Sequence, residues 1–260
     1  MSENRKGSSK EETQCQKYEP SRLQRNSFCS FPPPHPPTHP TQPGMSEMEV
    51  TVIKEYGVVH LRNALTPAEQ KTMFDEVKPK VRCVCKNPGI FHASSGAPGS
   101  PHRNPTLTAL GEALFSRCAE AVTAELAPEE IAAEPSLKRL GDAASGANPP
   151  NVREVTGAAY PKGATMANHS DLDRPLYTMS VAVGDACEFT VGKRTTRPKP
   201  NERSGRPVTI QMMSGDAIYF DGGGVPHEVA HIIPGTAPAY FKRNPPAGVA
   251  RVSVLFREAC

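Results

Sequence analysis

The sequence predicts an α+β protein that is mainly β: a sandwich or barrel of short strands, with supporting helices on one side and a disordered tail in front. From Asn151 onward, short runs rich in β-branched and aromatic residues alternate with Gly- and Pro-containing turns, as in all-β cores. Residues 107–126 instead repeat apolar side chains at helical spacing. Residues 1–48 are polar and then proline-rich, so they cannot bury enough apolar surface to offset the entropy of ordering.

Residues 1–48 are therefore predicted to form a disordered, proline-rich extension. Their Arg and Lys residues are compatible with an organellar transit peptide, whereas their Glu residues argue against one, and Met45 offers an alternative start. The seven cysteines are odd in number and include no CxxC pair, which is typical of reduced thiols inside cells. We expect an intracellular protein of the nucleus or cytoplasm, with organellar import left open.

The length and charge of the chain set bounds on its class. A chain of 260 residues suits one large domain. We expect residues 49–150 and 151–260 to fold together as one structural domain and the protein to be a monomer. No apolar run is long enough to span a membrane, so we expect no membrane partner. A net charge of +3 is compatible with a polyanionic partner but is too small to indicate one.

The N-terminal part, residues 49–150, is predicted to contain short strands and supporting helices. Residues 50–53 and 58–61 predict two strands around a Tyr-Gly turn. A helix should begin at Thr66, because a Thr cap, a Pro at the first helical position and a Glu three residues after the cap are typical of a helix start. That helix should end before Pro79.

The rest of this part is predicted to alternate between helix and irregular chain. Residues 82–85 predict a strand, and the Gly-, Pro- and Ser-rich stretch 87–105 predicts a long loop without secondary structure, which is usually functional or disordered. We expect the helix over residues 107–126 to pack on the outside of the β core as a support. Residues 127–150 are predicted to hold at most a broken helix, around residues 131–140.

The β core is predicted to occupy residues 151–260. A Pro-Lys-Gly turn at residues 161–163 leads into Met166 and His169. The strands expected after that turn are Tyr177–Val183, Cys187–Val191, Val208–Met213, Ala217–Phe220 and Val249–Phe256.

Two imidazoles and one carboxylate in this core have the pattern of an iron site. His169 and Asp171 are separated by one residue, so they point to the same side if they lie on or just after a strand. His227 follows far enough downstream for further strands to bring it alongside them. Two histidines and a carboxylate hold non-haem Fe(II) on one face and leave the other face open for chemistry.

Arg251 and Arg257 favour a dicarboxylate as the partner of that iron. Their even spacing places both on one face of a strand. Each guanidinium can hold a carboxylate through two parallel hydrogen bonds. Iron together with a dicarboxylate cosubstrate indicates 2-oxoglutarate.

His169-Ser-Asp171, His227 and the stretch from Arg251 to Arg257 together resemble the AlkB family of Fe(II)/2-oxoglutarate dioxygenases, the oxidative nucleic-acid demethylases. The resemblance runs from about residue 49 to the end. The HxD motif alone is weak, whereas the ordered set of HxD, a later His and two C-terminal Arg is specific. The resemblance implies a double-stranded β-helix, or jelly roll, as the core, with Fe(II) as the metal and with 2-oxoglutarate and O2 as cosubstrates.

The resemblance also implies roles for the residues around the metal ligands. Tyr160 and Arg251 should hold the distal carboxylate of 2-oxoglutarate, with Arg257 nearer its metal-side carboxylate. Ser253 stands where the family often has Asn, so one amide contact is lost or replaced by a hydroxyl contact. Asp173 matches an acidic position that contacts the exocyclic amine of the damaged base in bacterial members. Alternatively, Asp173 is an ordinary charged turn residue.

Some positions depart from the family or admit a second interpretation. The family's Asn two residues before the cosubstrate Tyr is Ala158 here. The chain has no Trp, so the ring that stacks on the base must be Phe, Tyr or His. His231 is an alternative third metal ligand because Ile-Ile-Pro follows it, but His227 with the following Glu-Val fits the family motif better.

Two segments are candidates for contact with nucleic acid. Residues 87–105 correspond to the family's mobile nucleotide-recognition lid, and their candidates for base or phosphate contact are Phe91, His92, His102 and Arg103. A plain surface loop is an equal alternative. Residues 193–206 hold six basic residues and one acid, which is typical of a solvated hairpin but also suits contact with phosphates.

The activity implied is oxidative demethylation of N-alkylated bases, such as 1-methyladenine and 3-methylcytosine in DNA or RNA, with release of formaldehyde, succinate and CO2. A target atom inside a base stack requires a single strand or a flipped nucleotide. Two alternatives stay open. One is a dioxygenase of the same fold that acts on a protein or a small molecule. The other is a non-catalytic binding relative, which the complete ligand set and both arginines disfavour.

Overall fold

The computed structural model describes residues 47–82, 87–171, 175–192 and 205–258. Several predictions from the sequence lie wholly or mainly outside these residues. They are the disordered extension, the strand over residues 82–85, the role of Asp173 and the basic segment 193–206.

Short strands and five helices make up the described part of the chain. The strands are β1 Glu49–Ile53, β2 Val58–Arg62, β3 Gly89–Ser95, β4 Val152–Pro161, β5 Met166–His169, β6 Tyr177–Gly184, β7 Ala186–Val191, β8 Val208–Met212, β9 Ala217–Asp221, β10 His227–Ile233 and β11 Val249–Glu258. The helices are α1 Pro67–Val77, α2 Pro105–Glu125, α3 Pro128–Ala132, α4 Pro135–Ala144 and α5 Ala239–Arg243.

The strands form two antiparallel sheets of a double-stranded β-helix, as the sequence predicted. The larger sheet has the order β1-β2-β9-β6-β11-β4-β3, and the smaller has the order β5-β10-β7-β8. Several adjacent strands come from distant parts of the chain, such as β2 beside β9 and β5 beside β10, which is how a jelly roll brings distant segments together. A buried apolar cluster joins the sheets, with Tyr160 and Ala182 from the larger one and Phe189 and Val229 from the smaller one.

The helices cover the outer face of the larger sheet. A second apolar cluster contains Leu114 and Phe115 of α2, together with Val254 and Phe256 of β11. Gly111 allows α2 to approach closely, since a Cβ there would lie 2.5 Å from the Phe256 ring. The predicted supporting role of α2 is therefore confirmed.

The predicted start of α1 is confirmed in its details. The Thr66 hydroxyl accepts a hydrogen bond from the Glu69 backbone N–H at 3.2 Å, and the Glu69 carboxylate accepts one from the Thr66 backbone N–H at 2.8 Å. This reciprocal pair is a capping box, and it satisfies two donors that a helix start leaves free. The helix ends at Val77, before Pro79, as predicted.

The predicted long loop over residues 87–105 is wrong in its first half. β3 (Gly89–Ser95) pairs with β4 along the edge of the larger sheet. Its side chains alternate between two faces, as in a strand: Phe91 and Ala93 face the core, whereas Ile90 and His92 are exposed. The Gly, Ser and Pro residues around it obscured that pattern, since an edge strand has only one neighbour and short polar residues are tolerated there.

Three further segments depart from the sequence prediction. Residues 127–150 contain two short helices, α3 and α4, rather than one broken helix. β10 and α5 were not predicted at all. None of the helices in the described ranges is long and apolar enough to cross a membrane.

Candidate metal centre

Three side chains meet at one end of the smaller sheet. His169 is the last residue of β5 and His227 the first of β10, and the two residues are directly paired across the strands. Asp171 follows β5, and its backbone N–H donates to Gly222 O at 2.8 Å. The His169 and His227 rings lie 4.4 Å apart between centroids. Strand pairing, rather than local sequence, thus brings His227 to the HxD motif.

The ligand atoms of the three side chains converge on one point. Asp171 Oδ1 lies 3.6 Å from His169 Nε2 and 3.8 Å from His227 Nε2. One ligand atom from each residue lies within 4.8 Å of the others, so the group can hold a single metal ion. Two imidazoles and one carboxylate suit Fe(II) better than Mg²⁺ or Ca²⁺, which prefer oxygen ligands alone.

Both histidines are oriented for ligation by their backbone neighbours. The Nδ1 atom of His169 lies 2.8 Å from Ala167 O, and that of His227 lies 2.9 Å from Val225 O. A carbonyl accepts only, so each Nδ1 carries the proton and each Nε2 offers its lone pair. This second hydrogen bond is the usual device by which proteins fix a histidine ligand.

Burial and charge set the protonation of these groups. Burial lowers the pKa of His227 to about 4, so this imidazole is neutral and competent to bind metal at neutral pH. Burial acts in the same direction on His169, but the Asp171 carboxylate outweighs it and raises the pKa of His169. Burial alone would raise the pKa of Asp171, but the histidines and Arg257 lower it to about 2. Asp171 is therefore ionised and attracts a cation.

His231, the alternative third ligand, lies away from this group. It is exposed on β10 and pairs in register with Glu188 of β7. The described residues that can hold a metal together are His169, Asp171 and His227. The preference for His227 over His231 is thus supported by the geometry.

A cavity of about 140 Å³ opens from the metal ligands into the space between the sheets. The larger sheet lines it with Thr156, Ala158 and Tyr160 of β4 and with Ser253, Leu255 and Arg257 of β11. Phe189, Phe220 and Val229 form an apolar wall on the histidine side. Two of these rings pack on His227, with ring centroids 5.9 Å away for Phe189 and 4.7 Å for Phe220. They exclude water from that ligand.

Arg251 lies next to this cavity and is almost fully buried, with 1% of its surface exposed. Its Nη1 donates to Asp185 O at 3.0 Å, but its Nε is buried and has no hydrogen-bond partner in the described parts of the chain. A buried guanidinium with an unused donor is costly unless an anion completes it. Arg251 therefore fits one carboxylate of a cosubstrate.

Tyr160 and Ser253 lie beside Arg251, as predicted from the sequence. Tyr160 is paired in register with Arg251 across β4 and β11, and Ser253 follows on the same face of β11. Burial raises the pKa of Tyr160 to about 12, so its phenol keeps its proton and can donate to an anion. Ala158 is paired with Ser253.

Arg257 occupies the metal end of the cavity and is engaged by protein carboxylates. Its Nη2 donates to Asp171 Oδ2 at 3.1 Å, and its Nη1 lies 3.8 Å from Glu154 Oε2. Its Nε is buried without a hydrogen-bond partner among the described residues. The predicted contact of Arg257 with the metal-side carboxylate of 2-oxoglutarate stays a prediction.

Glu154, Ile90 and His92 also lie at or beside this site, and no role there was predicted for them from the sequence. Glu154 is paired in register with Arg257, and Ile90 and His92 of β3 line the cavity. Glu154 precedes Tyr160 by an even number of residues in one strand, which is a signal that both share a face. His92 was assigned only to the lid region, because β3 had not been identified as a strand.

Comparison with known proteins supports the fold alone. No protein-family profile matches this chain, and no curated protein does. The solved structure of OsALKBH1 is similar with a TM-score of 0.55 at 16% identity, over 81% of this chain and 100% of that one. The carbocyclase SnoK from nogalamycin biosynthesis gives a TM-score of 0.48 at 14% identity, over 79% and 81% of the two chains. A 2OG-Fe(II) oxygenase family protein from Burkholderia pseudomallei gives 0.41 at 15% identity, over 78% and 84%.

Proposed function

We propose that this protein is an Fe(II)- and 2-oxoglutarate-dependent dioxygenase that oxidatively demethylates N-alkylated bases in DNA or RNA. The carrying observation is the pairing of two features at one cavity. A convergent His-His-Asp group lies at its metal end. Beside the cavity lies the buried guanidinium of Arg251, whose Nε has no hydrogen-bond partner among the described residues. A metal ion satisfies the first feature and a carboxylate satisfies the second.

The residues present fit both groups. His169, Asp171 and His227 would hold Fe(II), and Arg251, with Tyr160 and Ser253, would hold the distal carboxylate of 2-oxoglutarate. When bound, the iron with 2-oxoglutarate and O2 supplies the oxidation of a C–H bond. An N-methyl group oxidised in this way leaves the base as formaldehyde, while 2-oxoglutarate is converted to succinate and CO2.

The protein's own contribution is to orient the metal ligands and to exclude water from the cavity. The carbonyls of residues 167 and 225 fix the imidazoles, and Arg257 fixes the carboxylate of Asp171. Phe189 and Phe220 keep the histidine side of the cavity apolar. An enclosed site of this kind lets the cofactor chemistry proceed on the bound substrate rather than on solvent.

The residues at the mouth of the cavity support the proposal that the substrate is a planar base. Ile90 is 65% exposed and His92 stands two residues further along β3, so an apolar side chain and an imidazole border the entrance. A base that has left its stack can pack on such a ring, and damaged bases leave the stack at least cost. His92 is our candidate for the stacking ring that the chain must supply without Trp. The resemblance of the His-x-Asp, His and Arg motifs to the AlkB family points to the same substrate class.

The test is formaldehyde release from methylated oligonucleotides. Single-stranded DNA and RNA carrying 1-methyladenine or 3-methylcytosine would be incubated with Fe(II) and 2-oxoglutarate, beside the Asp171→Ala variant. We expect release by the wild type and none by the variant, and the DNA-to-RNA ratio will identify the preferred strand. Succinate without formaldehyde would overturn the nucleic-acid substrate and favour a protein or small-molecule substrate. Absence of succinate with every substrate would overturn the oxygenase assignment.

A further inference from the structure

A series of side-chain contacts runs across the larger sheet beside the metal ligands. Arg257 of β11 lies directly opposite Glu154 of β4, and directly opposed residues on one face of an antiparallel pair are close enough to interact. The Arg257 guanidinium uses Nη1 toward Glu154 Oε2 at 3.8 Å and Nη2 toward Asp171 Oδ2 at 3.1 Å. One guanidinium is thus shared between a metal ligand and a carboxylate that is not a ligand.

This series of contacts continues outward to the mouth of the cavity. The other oxygen of Glu154, Oε1, lies 3.5 Å from His92 Nδ1. The His92 side chain is 72% exposed, and His92 lines both the metal cavity and a polar recess next to it. Three contacts therefore connect an exposed ring at the entrance to the carboxylate that faces the ion.

This series of contacts constrains the orientation in which the Asp171 carboxylate can bind a metal. A carboxylate can bind an ion through one oxygen or through both, and Arg257 occupies Oδ2 while Oδ1 faces the histidines. Arginine has a long side chain with many rotamers, so a second anchor reduces the number of orientations its fork can adopt. Glu154 is that anchor, because its carboxylate attracts Nη1 at 3.8 Å while Nη2 donates to Asp171.

Glu154 has no comparable role in holding the sheet together. Its side chain is 39% exposed, and the β4–β11 pairing depends on backbone hydrogen bonds that a change of side chain leaves in place. An ion pair with a solvent-accessible carboxylate and a separation of 3.8 Å contributes little to stability. Loss of the Glu154 charge should therefore appear in the metal centre rather than in the unfolding temperature.

We propose that Glu154 is a positioning residue of the metal centre, which acts through Arg257 to hold Asp171 in the orientation that binds the ion. The proposal rests on the metal-binding part of the proposed function and is independent of the substrate. The carboxylate of Glu154 is then a partner that orients a metal ligand without touching the ion, and removal of such a partner typically weakens metal binding about 10- to 100-fold.

The test is Mn(II) binding to the Glu154→Gln variant, measured by calorimetry or by the EPR signal of the free ion. The substitution keeps the side-chain shape and removes the charge. We expect the Kd for Mn(II) to rise about tenfold while the unfolding temperature of the metal-free protein is unchanged. Glu188→Gln is the matched control, because Glu188 is an exposed glutamate on β7. An unchanged Kd in Glu154→Gln would overturn the proposal.

A double-mutant cycle tests the route through Arg257. If Glu154 acts by holding Arg257, Glu154→Gln should add almost nothing to the rise in the Kd for Mn(II) in an Arg257→Met background. The reason is that the two changes interrupt the same series of contacts. Fully additive effects would overturn that route. Failure of the underlying metal site is distinguishable: wild-type protein that binds no Mn(II) would refute the metal centre itself. Binding that Asp171→Ala abolishes and Glu154→Gln leaves intact would refute the role of Glu154 alone.

Discussion

Arg257 and Asp171 form an ion pair that leaves one aspartate oxygen for the metal. Arg257 Nη2 donates to Asp171 Oδ2 at 3.1 Å, while Asp171 Oδ1 lies 3.6 and 3.8 Å from the Nε2 atoms of the two histidines. The two oxygens of one carboxylate thus have different partners. Because the imidazoles are also fixed by backbone carbonyls, the ligands are in place before an ion enters.

The first prediction concerns stabilisation by the metal. Fe(II) under anaerobic conditions, or Mn(II), should raise the unfolding temperature of the wild type, because an ion that binds only the folded state stabilises it by about 2.7 kcal/mol at roughly 100 times its Kd. Asp171→Ala and His169→Ala should lose this shift and all turnover while they remain folded. Thermal scans with and without metal check it. A variant that keeps the full shift would remove its residue from the ligand set.

The second prediction concerns the buried guanidinium of Arg251. Arg251→Lys keeps a positive charge but loses the planar guanidinium with its two parallel donors. The KM for 2-oxoglutarate should therefore rise about tenfold or more, because a charge-assisted hydrogen bond worth roughly 1.5–3 kcal/mol is lost. Succinate formation against 2-oxoglutarate concentration measures it, and Arg243→Lys is the control, because Arg243 is exposed at the end of α5. The metal-induced thermal shift should survive and report that the variant is folded. An unchanged KM would place the distal carboxylate elsewhere.

Local patterns in the sequence were sufficient for the elements whose signals are local. The capping box at Thr66 and Glu69 needs only neighbouring residues, and the HxD motif needs only the alternation of a strand. The metal ligands were therefore identifiable, and β5 ends at His169 with Asp171 just beyond it, as expected. The jelly-roll core was predictable for a different reason, because the ordered His and Arg motifs resemble a family with that fold.

Features that depend on pairing between distant strands were not predictable in the same way. Arg257 lies opposite Glu154 because of the register between β11 and β4, and no local pattern in either strand encodes that register. The sequence predicts that each arginine holds a different carboxylate of the dicarboxylate, whereas of the two only Arg251 is free of protein carboxylates among its described hydrogen bonds. β3 was missed because a strand with one neighbour tolerates Gly and Ser.

The third prediction concerns the close approach of Gly222 to the metal ligand. A Cβ at Gly222 would lie 2.7 Å from Asp171 Oδ2 and 3.1 Å from Thr178 Oγ1. Gly222→Ala should therefore push the Asp171 carboxylate out of place and raise the Kd for Mn(II) about tenfold. Gly141→Ala in α4 is a matched control, because its Cβ would meet Ile131 at 2.8 Å, away from the metal centre. Equal metal affinity in the two variants would refute the steric argument.

The fourth prediction concerns the start of α1. Thr66→Ala removes the hydroxyl that accepts from the Glu69 N–H, so it should lower the free energy of unfolding by about 1 kcal/mol. Urea denaturation at neutral pH measures this change. Thr72→Ala is the control, since Thr72 is exposed inside the same helix and Ala has the higher helix propensity there. An equal loss in both variants would mean that the cap contributes nothing.

The same cap should depend on pH through Glu69. Burial raises the pKa of Glu69, but its hydrogen bonds with Arg117 and Thr66 outweigh that effect and hold the pKa below the ordinary value of 4.5. A carboxyl whose pKa is lower in the folded state stabilises the fold above the unfolded-state pKa, and the contribution is lost as the pH falls through the folded-state pKa. Glu69→Gln should therefore be less stable than the wild type at neutral pH, and the difference should shrink in acid well below pH 4.5. A constant difference across that range would show that Glu69 acts through its shape and not through its charge.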